Sequence, residues 1–291
     1  MELLVTLRKR ALLERILPLV DGVIIGRFFA ASYHLGSNEM RIINNYCKSN
    51  KKKVYVQIDN FISEDDMDEL LDYMGFVKSL EPDGIYFHDL GLYEIAKEFS
   101  LVDKLIYDGK SVLCNSLDTR FLLNRGIDSV MLARELTFEE IKDIASNNPG
   151  QVDIQIFGHQ RMSYSRRKFL KNYFEEINRD YDYLNKESLY LIEEQRDYRM
   201  PIVEDDEGTF IYTDYIVEMF AELPKIADVI KRGVIDTLFI DNDNMILQAC
   251  RDYKRVNKEN ADFIKESFRH SYPENYSSGY LYQKTNISKD E

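Results

Sequence analysis

Eight short apolar runs organise this sequence, and each is followed by a polar or acidic residue and then by a helical pattern. The runs are residues 3–7, 22–26, 54–59, 84–89, 104–108, 129–135, 153–157 and 237–241. Strands that alternate with helices predict right-handed βαβ units and a parallel sheet. Eight such units in a chain of 291 residues predict an α/β fold of the TIM-like (β/α)8 barrel type.

A doubly wound open sheet is the main alternative architecture. Such a sheet usually carries a glycine-rich phosphate turn after an early strand. No G-x-G-x-x-G pattern occurs in this sequence. The barrel is therefore the favoured prediction.

The connection between the seventh and eighth runs interrupts the strand–helix rhythm. It begins with a predicted helix at residues 166–177 and continues as apolar runs on either side of a polar turn at residues 204–208. A long connection rich in Tyr, Leu and Ile predicts a small antiparallel insertion, which we place at residues 178–220. Residues 1–245 are the predicted barrel, and residues 246–291 are predicted to be C-terminal helices and a tail packed on it.

The composition is that of a globular protein without a cysteine-based site. Apolar residues make up 44% of the chain and charged residues 31%. The three cysteines, Cys47, Cys114 and Cys250, lie far apart, which disfavours a disulfide framework, a zinc site and an all-cysteine iron–sulfur site. No apolar run approaches the roughly 20 residues that span a bilayer. Near the N-terminus, basic residues follow the apolar stretch instead of preceding it. We expect a cytoplasmic protein without membrane contact.

The net charge of -13 works against generic binding to nucleic acid. Basic residues are nevertheless concentrated in one predicted turn and helix. This segment could bind phosphates on RNA or a ligand, bind an acidic partner protein, or be a solvated helix face. The candidate substrate-binding or partner-binding residues are Asn115, Arg161, Ser165, Arg166, Arg167 and Lys168.

Polar residues mark the carboxyl ends of the predicted strands, where the active site of a TIM barrel lies. They are Gln57, Asp59, His88, Asp89, Asp108, Arg134, Glu135, Gly158, His159 and Asp241. They predict a polar pocket for general acid–base chemistry or a divalent metal, unless these strand ends are polar only because they meet water. We select His88, Arg134, Glu135 and His159 as candidate catalytic residues. No H-E-x-x-H pattern assigns a metal ligand, and no G-x-S-x-G elbow supports a serine hydrolase.

Three segments in this order resemble the peptidase U32 family over about residues 2–245. Residues 130–141 are similar to an arginine–glutamate–leucine strand end and the helix after it. Residues 156–165, Ile156-Phe157-Gly158 through Ser165, are similar to the family's signature segment. Residues 200–212 are similar to its proline-containing hairpin. Members of this family are linked to collagenase-like proteolysis and to hydroxylation, including hydroxylation of the tRNA wobble uridine at carbon 5.

Residues 165–174 resemble the short member of a Gram-positive pair of U32 proteins that act together in this tRNA hydroxylation. The resemblance implies a longer U32 subunit as partner, and tRNA through that complex. In the metal-binding branch of the family, cysteines stand in the signature segment where this chain has Arg161 and Lys168. We therefore expect no iron–sulfur cluster. At the eighth run the chain has Phe239-Ile240-Asp241-Asn242-Asp243, where the family often shows lysine and arginine, which puts catalysis by this chain alone in doubt.

The leading functional prediction is a U32-type barrel that serves as the small component of a tRNA-modifying pair and need not be catalytic by itself. A U32-type peptidase or other hydrolase that uses the ring of carboxylates is the first alternative. A non-catalytic binding barrel is the second. The sequence leaves open whether the chain is an enzyme.

Overall fold

The computed structural model describes residues 1–27, 29–30, 33, 35–192, 194 and 198–283. The strands in this part of the chain are β1 (Glu2–Thr6), β2 (Gly22–Gly26), β3 (Lys53–Ile58), β4 (Gly84–Phe87), β5 (Leu105–Asp108), β6 (Ser129–Met131), β7 (Val152–Ser165), β8 (Leu189–Ile192), β9 (Arg199–Asp205), β10 (Gly208–Glu218), β11 (Arg232–Ile235) and β12 (Tyr276–Ser277). The helices are α1 (Leu13–Ile16), α2 (Ser37–Ser49), α3 (Met67–Leu80), α4 (Gly91–Glu98), α5 (Ser116–Leu123), α6 (Phe138–Asn147), α7 (Phe169–Glu176), α8 (Asp243–Arg255) and α9 (Ala261–Ser271).

Eight parallel strands close into a barrel. Strands β1 to β7 are hydrogen-bonded in chain order, and β11 lies between β7 and β1, parallel to both. Helices follow the strands and cover the outside, where their apolar faces join the main hydrophobic core. The structure therefore confirms the TIM-like barrel.

The eighth barrel strand is β11 at Arg232–Ile235, so its predicted position at residues 237–241 was wrong. The observed strand contains Arg232, and a charged residue is not expected from sequence in a buried strand. Its guanidinium is buried because Asp153 and Asp128 pair with it inside the barrel. Residues 237–241 form the loop after the strand, in which Leu238 packs into a small apolar cluster with Phe210 of β10.

The antiparallel insertion between the seventh and eighth barrel strands begins within β7. The first half of β7 pairs with β6 and β11 in the barrel, and its second half runs beyond the rim and pairs antiparallel with β10. Strands β10, β9 and β8 then continue as an antiparallel sheet. The segment from Arg161 to Ser165 therefore lies in a strand and not in the turn and helix that the sequence suggested.

Local sequence signals set several helix starts. Thr137 and Glu140 form a capping box at the start of α6, in which the backbone N–H of Thr137 donates to the Glu140 carboxylate over 2.8 Å and that of Glu140 donates to Oγ1 of Thr137 over 3.3 Å. After Ser63, a short 3-10 turn leads into α3. Among the described residues, every helix is too short or too polar to cross a bilayer.

The C-terminal elements pack on the barrel wall. Phe268 of α9 lies 5.7 Å from Phe157 of β7 and 5.2 Å from Phe220, measured between ring centroids. The short strand β12 pairs with β10 and so extends the insertion sheet. The division of the chain at residue 245 stays a prediction, and α8 begins just before it, at Asp243.

Candidate functional site at the barrel mouth

Side chains fill the barrel lumen below its C-terminal mouth. Alternate strand residues form an apolar layer across it: Leu4, Ile24, Tyr55, Tyr86, Ile106, Met131 and Val234. Beneath this layer, Nη1 of Arg232 lies 3.1 Å from Oδ2 of Asp153 and donates to Ser129, and all three residues are buried. The N-terminal end of the barrel is therefore closed, and the carboxyl ends of the strands form its accessible face.

Lys110 joins the ends of two strands at this mouth. Its Nζ lies 2.7 Å from Oδ2 of Asp59, the residue after β3, and also bonds Oδ2 of Asp108, the last residue of β5. Both aspartates are buried. The loop after β5 places Lys110 between them, because its backbone N–H donates to Oδ1 of Asp108 over 3.2 Å.

Two arginines complete this cluster of charges. Arg134, after β6, has Nη1 and Nη2 at 3.3 and 3.4 Å from the two oxygens of Asp108, and its Nε donates to Gln155 over 2.8 Å. Arg161 of β7 has Nη1 at 3.3 Å from Oδ2 of Asp59, and its Nη2 donates to the Asp59 carbonyl oxygen over 3.1 Å. Three cations therefore surround two carboxylates.

The charges of this cluster are set by burial and by their neighbours. Burial alone would raise the pKa of Asp59, but Lys110 and Arg161 outweigh it and hold that pKa well below its ordinary range. In the same way, Arg134 and Lys110 outweigh burial and lower the pKa of Asp108. Burial lowers the pKa of Lys110, which the two aspartates offset only in part. Both aspartates are therefore ionised near neutral pH and cannot serve as proton donors there.

A second ion pair lies beside this cluster. Nη2 of Arg8 is 3.6 Å from Oδ1 of Asp236, which follows β11, and Oγ1 of Thr6 donates to the same oxygen over 3.2 Å. The guanidinium of Arg8 also lies 4.4 Å from the ring centroid of Tyr33. The mouth is thus a preorganised polar surface on rigid strand ends.

A cleft of about 450 Å³ opens above the mouth. Its inner end is formed by Lys110, Arg134 and Arg161, which also line the mouth. Five aromatic residues line its walls: Phe61, Tyr164, Tyr198, Tyr215 and Tyr280. The rings of Phe61 and Tyr164 stack with centroids 5.5 Å apart, and Phe61 remains 46% exposed. Aromatic walls above cationic donors suit a planar ring that carries hydrogen-bond acceptors or negative charge.

His88 lines the same cleft beside the aromatic wall. Its Nδ1 lies 2.9 Å from the carbonyl oxygen of Asp108, and its ring makes an edge contact with Phe61 at 4.6 Å. Burial lowers the pKa of His88, and Lys110 and Arg161 lower it further, although the bond to the Asp108 carbonyl opposes them. His88 is therefore neutral at pH 7.

A family model described as peptidase family U32 matches residues 27–291. The chain belongs to peptidase family U32. The solved structure of a U32 peptidase superposes with a TM-score of 0.52 at 14% identity, over 81% of this chain and 92% of that one. At this identity the likeness concerns the fold, and it agrees with the barrel seen here.

Two other relatives carry names that bear on function. The chain is 28% identical to tRNA hydroxylation protein P2 of Bacillus subtilis over 218 residues, which is 74% of this chain and 69% of that protein. It is 24% identical to an uncharacterized protease of Methanocaldococcus jannaschii over 261 residues, which is 84% of this chain and 63% of that protein. The chain thus spans about two thirds of the length of each.

Three of the four candidate catalytic residues of this U32 chain share the cleft. His88, Arg134 and Glu135 all line it, with Glu135 exposed at the rim. His159 lies elsewhere, in a separate cleft beside the loop after β11. Its Nδ1 is 2.7 Å from the carbonyl oxygen of Thr213. The structure therefore does not bring the two histidines into one site.

The basic segment separates into buried and exposed residues. Arg161 is part of the mouth, and only 6% of its side chain is exposed. Lys168 donates to the carbonyl oxygen of Asp205. Arg166 and Arg167 are exposed, and Nη2 of Arg166 lies 3.6 Å from Asp66. The segment is therefore not one continuous basic surface.

The two remaining candidate binding residues have visible local roles. Oγ of Ser165 accepts the backbone N–H of Arg167 in the turn after β7. Asn115 caps α5, where its Oδ1 accepts the backbone N–H groups of Leu117 and Asp118 over 2.9 Å. Neither lines the cleft above the mouth.

The selection of candidate residues from the sequence omitted Lys110, Arg8, Gln155 and Asp236, which line the mouth. Lys110 stands two residues beyond the predicted end of the fifth strand, so a wider window at strand ends would have included it. Asp236 was missed because the eighth strand was placed too late. Arg8 belongs to a basic run that follows the first strand, where its position at the mouth was not recognised.

The residues present do not fit an iron–sulfur cluster in the signature segment. Cys47 and Cys250 are buried in α2 and α8, and Cys114 is exposed before α5. Arg161 and Lys168, at the positions expected for ligands, are cations bound to Asp59 and to the Asp205 carbonyl. Within the described residues, no group of three or more His, Cys, Asp or Glu side chains is arranged to hold a metal ion.

Proposed function

We propose that this chain is a component of a tRNA hydroxylation system, and that it acts on the wobble uridine beside a longer U32 protein. Its similarity to tRNA hydroxylation protein P2 supports the reaction class. The structural observation behind the proposal is the aromatic-walled cleft of about 450 Å³ above three cations, which suits a nucleotide turned out of an RNA loop.

The side chains of the cleft support a binding role more than independent catalysis. Asp59 and Asp108 are held in ion pairs that keep them ionised, so they do not resemble a general acid–base pair. Within the described residues, the hydrogen bond of His88 goes to a backbone carbonyl and not to a serine or cysteine nucleophile. We therefore assign the binding of the nucleotide to this chain and the completion of the catalytic centre to its partner.

The same observations argue against the peptidase alternative, although one relative is named a protease. A hydrolase that uses the carboxylate ring needs a carboxylate free to exchange protons near neutral pH. Purified chain incubated with gelatin and casein is expected to release no peptides. Cleavage that disappears in an Asp108→Asn variant would favour the peptidase instead.

The proposal is tested by deleting the gene in the native host and measuring 5-hydroxyuridine-derived nucleosides in tRNA by mass spectrometry. We expect these nucleosides to disappear and to return with the wild-type gene. The Arg134→Met variant should fail to restore them, whereas Arg125→Met, at an exposed arginine of the barrel surface, should succeed. Unchanged nucleosides in the deletion strain would exclude the proposal. A tagged chain purified from the same host should bring down a longer U32 protein.

We also propose that the chain carries no iron–sulfur cluster, since its cysteines lie on separate elements. Protein purified without oxygen is expected to lack the broad visible absorption of such a cluster, and to lack stoichiometric iron and acid-labile sulfide. Iron and sulfide in equal amounts with that absorption would contradict this.

A further inference from the structure

The tautomer of His88 is fixed by its backbone partner. A carbonyl oxygen can only accept, so the 2.9 Å bond between Nδ1 and the Asp108 carbonyl places the ring proton on Nδ1. In neutral imidazole the other nitrogen then has a free lone pair. His88 lines the cleft, and within the described part of the chain its Nε2 makes no hydrogen bond. The cleft therefore offers a hydrogen-bond acceptor at this nitrogen.

The cations at the inner end of the cleft offer only donors. The Lys110 ammonium carries three N–H groups, and its bonds to Asp59 and Asp108 use two. The Arg134 guanidinium carries five, and its bonds to Asp108 and Gln155 use three. Nη1 of Arg161 lies 3.3 Å from Asp59 and is buried, so the free donors of the inner end are those of Lys110 and Arg134. The inner end is thus rich in unused donors.

We propose that the cleft recognises the imide edge of a uracil ring, with Nε2 of His88 accepting the N3–H and the cations donating to the two carbonyl oxygens. Uracil presents acceptor, donor and acceptor along this edge, which is the complement of the acceptor at His88 and the donors of Lys110 and Arg134. Phe61, which is 46% exposed in the cleft wall, provides an aromatic surface for stacking of the base. The inference rests on the proposed function and adds the residue that selects the base.

Cytosine is rejected by the same arrangement. Its ring has an acceptor at N3 and an amino donor at carbon 4. The N3 lone pair would face the lone pair of His88, and the amino group would face the donors of Lys110 and Arg134. Both conflicts leave polar groups unpaired in a partly desolvated site, which is the costly case in recognition.

The test measures binding of the full-length chain, purified from its native host, to an anticodon stem-loop RNA. Two RNAs are compared at one salt concentration, with uridine or cytidine at the first anticodon position. We expect the uridine RNA to bind about 10-fold more tightly or better. The His88→Leu variant should lose this preference, and His88→Gln, which restores an acceptor, should regain part of it. The matched control is His270→Leu, at an exposed residue of α9, which should keep the full preference.

Equal affinity of the wild-type chain for the two RNAs, or no binding to either, would overturn the inference. A preference that survives in His88→Leu would overturn the role of His88. Thermal unfolding of each variant separates loss of recognition from loss of folding. The deletion experiment is independent of this one, because hydroxylated nucleosides can depend on the chain even if its cleft does not read uracil. The two proposals can therefore fail separately.

Discussion

The ammonium group of Lys110 lies 2.7 Å from the carboxylate of Asp59 and joins the ends of two strands that are not neighbours. Asp59 follows β3, and Lys110 follows β5, with β4 between them. The same ammonium bonds Asp108, so this cation is shared by two buried carboxylates, each of which also pairs with an arginine. This contact orders the mouth of the barrel and places the cations of the cleft.

Removal of this cation should destabilise the fold. Lys110→Met removes the bonds of this ammonium to Asp59 and Asp108, which keep Arg161 and Arg134 as partners, and we expect the free energy of unfolding to fall by about 2–3 kcal/mol. The matched control is Lys97→Met, which breaks an exposed pair with Glu94 and should change stability by no more than about 0.5 kcal/mol. Urea denaturation of the variants measures both. Equal losses would contradict the role given to Lys110.

Gly158 should not tolerate a side chain. Its φ is +112°, and a Cβ atom there would overlap the carbonyl oxygen of Asp236, where β7 meets the loop after β11. Gly158→Ala is expected to cost more than about 3 kcal/mol, because strain and overlap add. Gly150 has φ of +70° with open space around it, so Gly150→Ala should cost only about 1 kcal/mol. Thermal unfolding measures both losses of stability, and a larger loss for Gly150→Ala than for Gly158→Ala would contradict the prediction.

Glu207, in the turn between β9 and β10, should make stability fall as pH rises. Burial raises its pKa to about 7, and Asp66 and Asp205 add to the effect. An unfolded glutamate has a pKa of about 4.3, so between these values the folded state holds a proton that the unfolded state has lost. Stability from this group is therefore present at low pH and is lost as pH rises towards 7.

The variant Glu207→Gln removes this titration. At about pH 8 it should be more stable than the wild type by about 1–2 kcal/mol, after allowance for partial solvent screening. The difference should shrink strongly at about pH 5, where the folded wild type is protonated. Urea titrations at the two pH values measure it, and a difference independent of pH would show that Glu207 is not the group responsible.

The exposed arginines beyond the rim should mediate association. We expect the double variant Arg166→Glu, Arg167→Glu to recover at least about 10-fold less of the longer U32 protein in co-purification, since charge reversal opposes an acidic surface. If these arginines bind RNA instead, the salt dependence of binding should flatten by about one unit of slope for each phosphate that the variant no longer neutralises. The matched control reverses Arg120 and Arg125, which are also exposed. Unchanged recovery and slope would mean that Arg166 and Arg167 are only a solvated face.

Residues close in sequence account for what the sequence predicted well. The barrel strands β1 to β7 follow from apolar runs of the right length, and the capping box at Thr137 needs only Glu140 three residues later. The cleft residues His88, Arg134 and Glu135 were found because strand ends converge at one face of a barrel. These are local signals combined with one general rule of topology.

The sequence by itself determined the fold class, the family and the face on which a site would lie, because periodicity and motif order are properties of neighbouring residues. Only the tertiary structure decided that Arg232 lies in a buried strand, that Arg161 belongs to the mouth and that His159 is outside the cleft. Arg161 donates a hydrogen bond to the backbone of Asp59, which is 102 residues away in the sequence. Arg232 donates to Asp153, which is 79 residues away. From sequence alone a charged residue is expected to be exposed, unless a buried partner of opposite charge is known. Ion pairs between residues so far apart in sequence form only when the barrel closes.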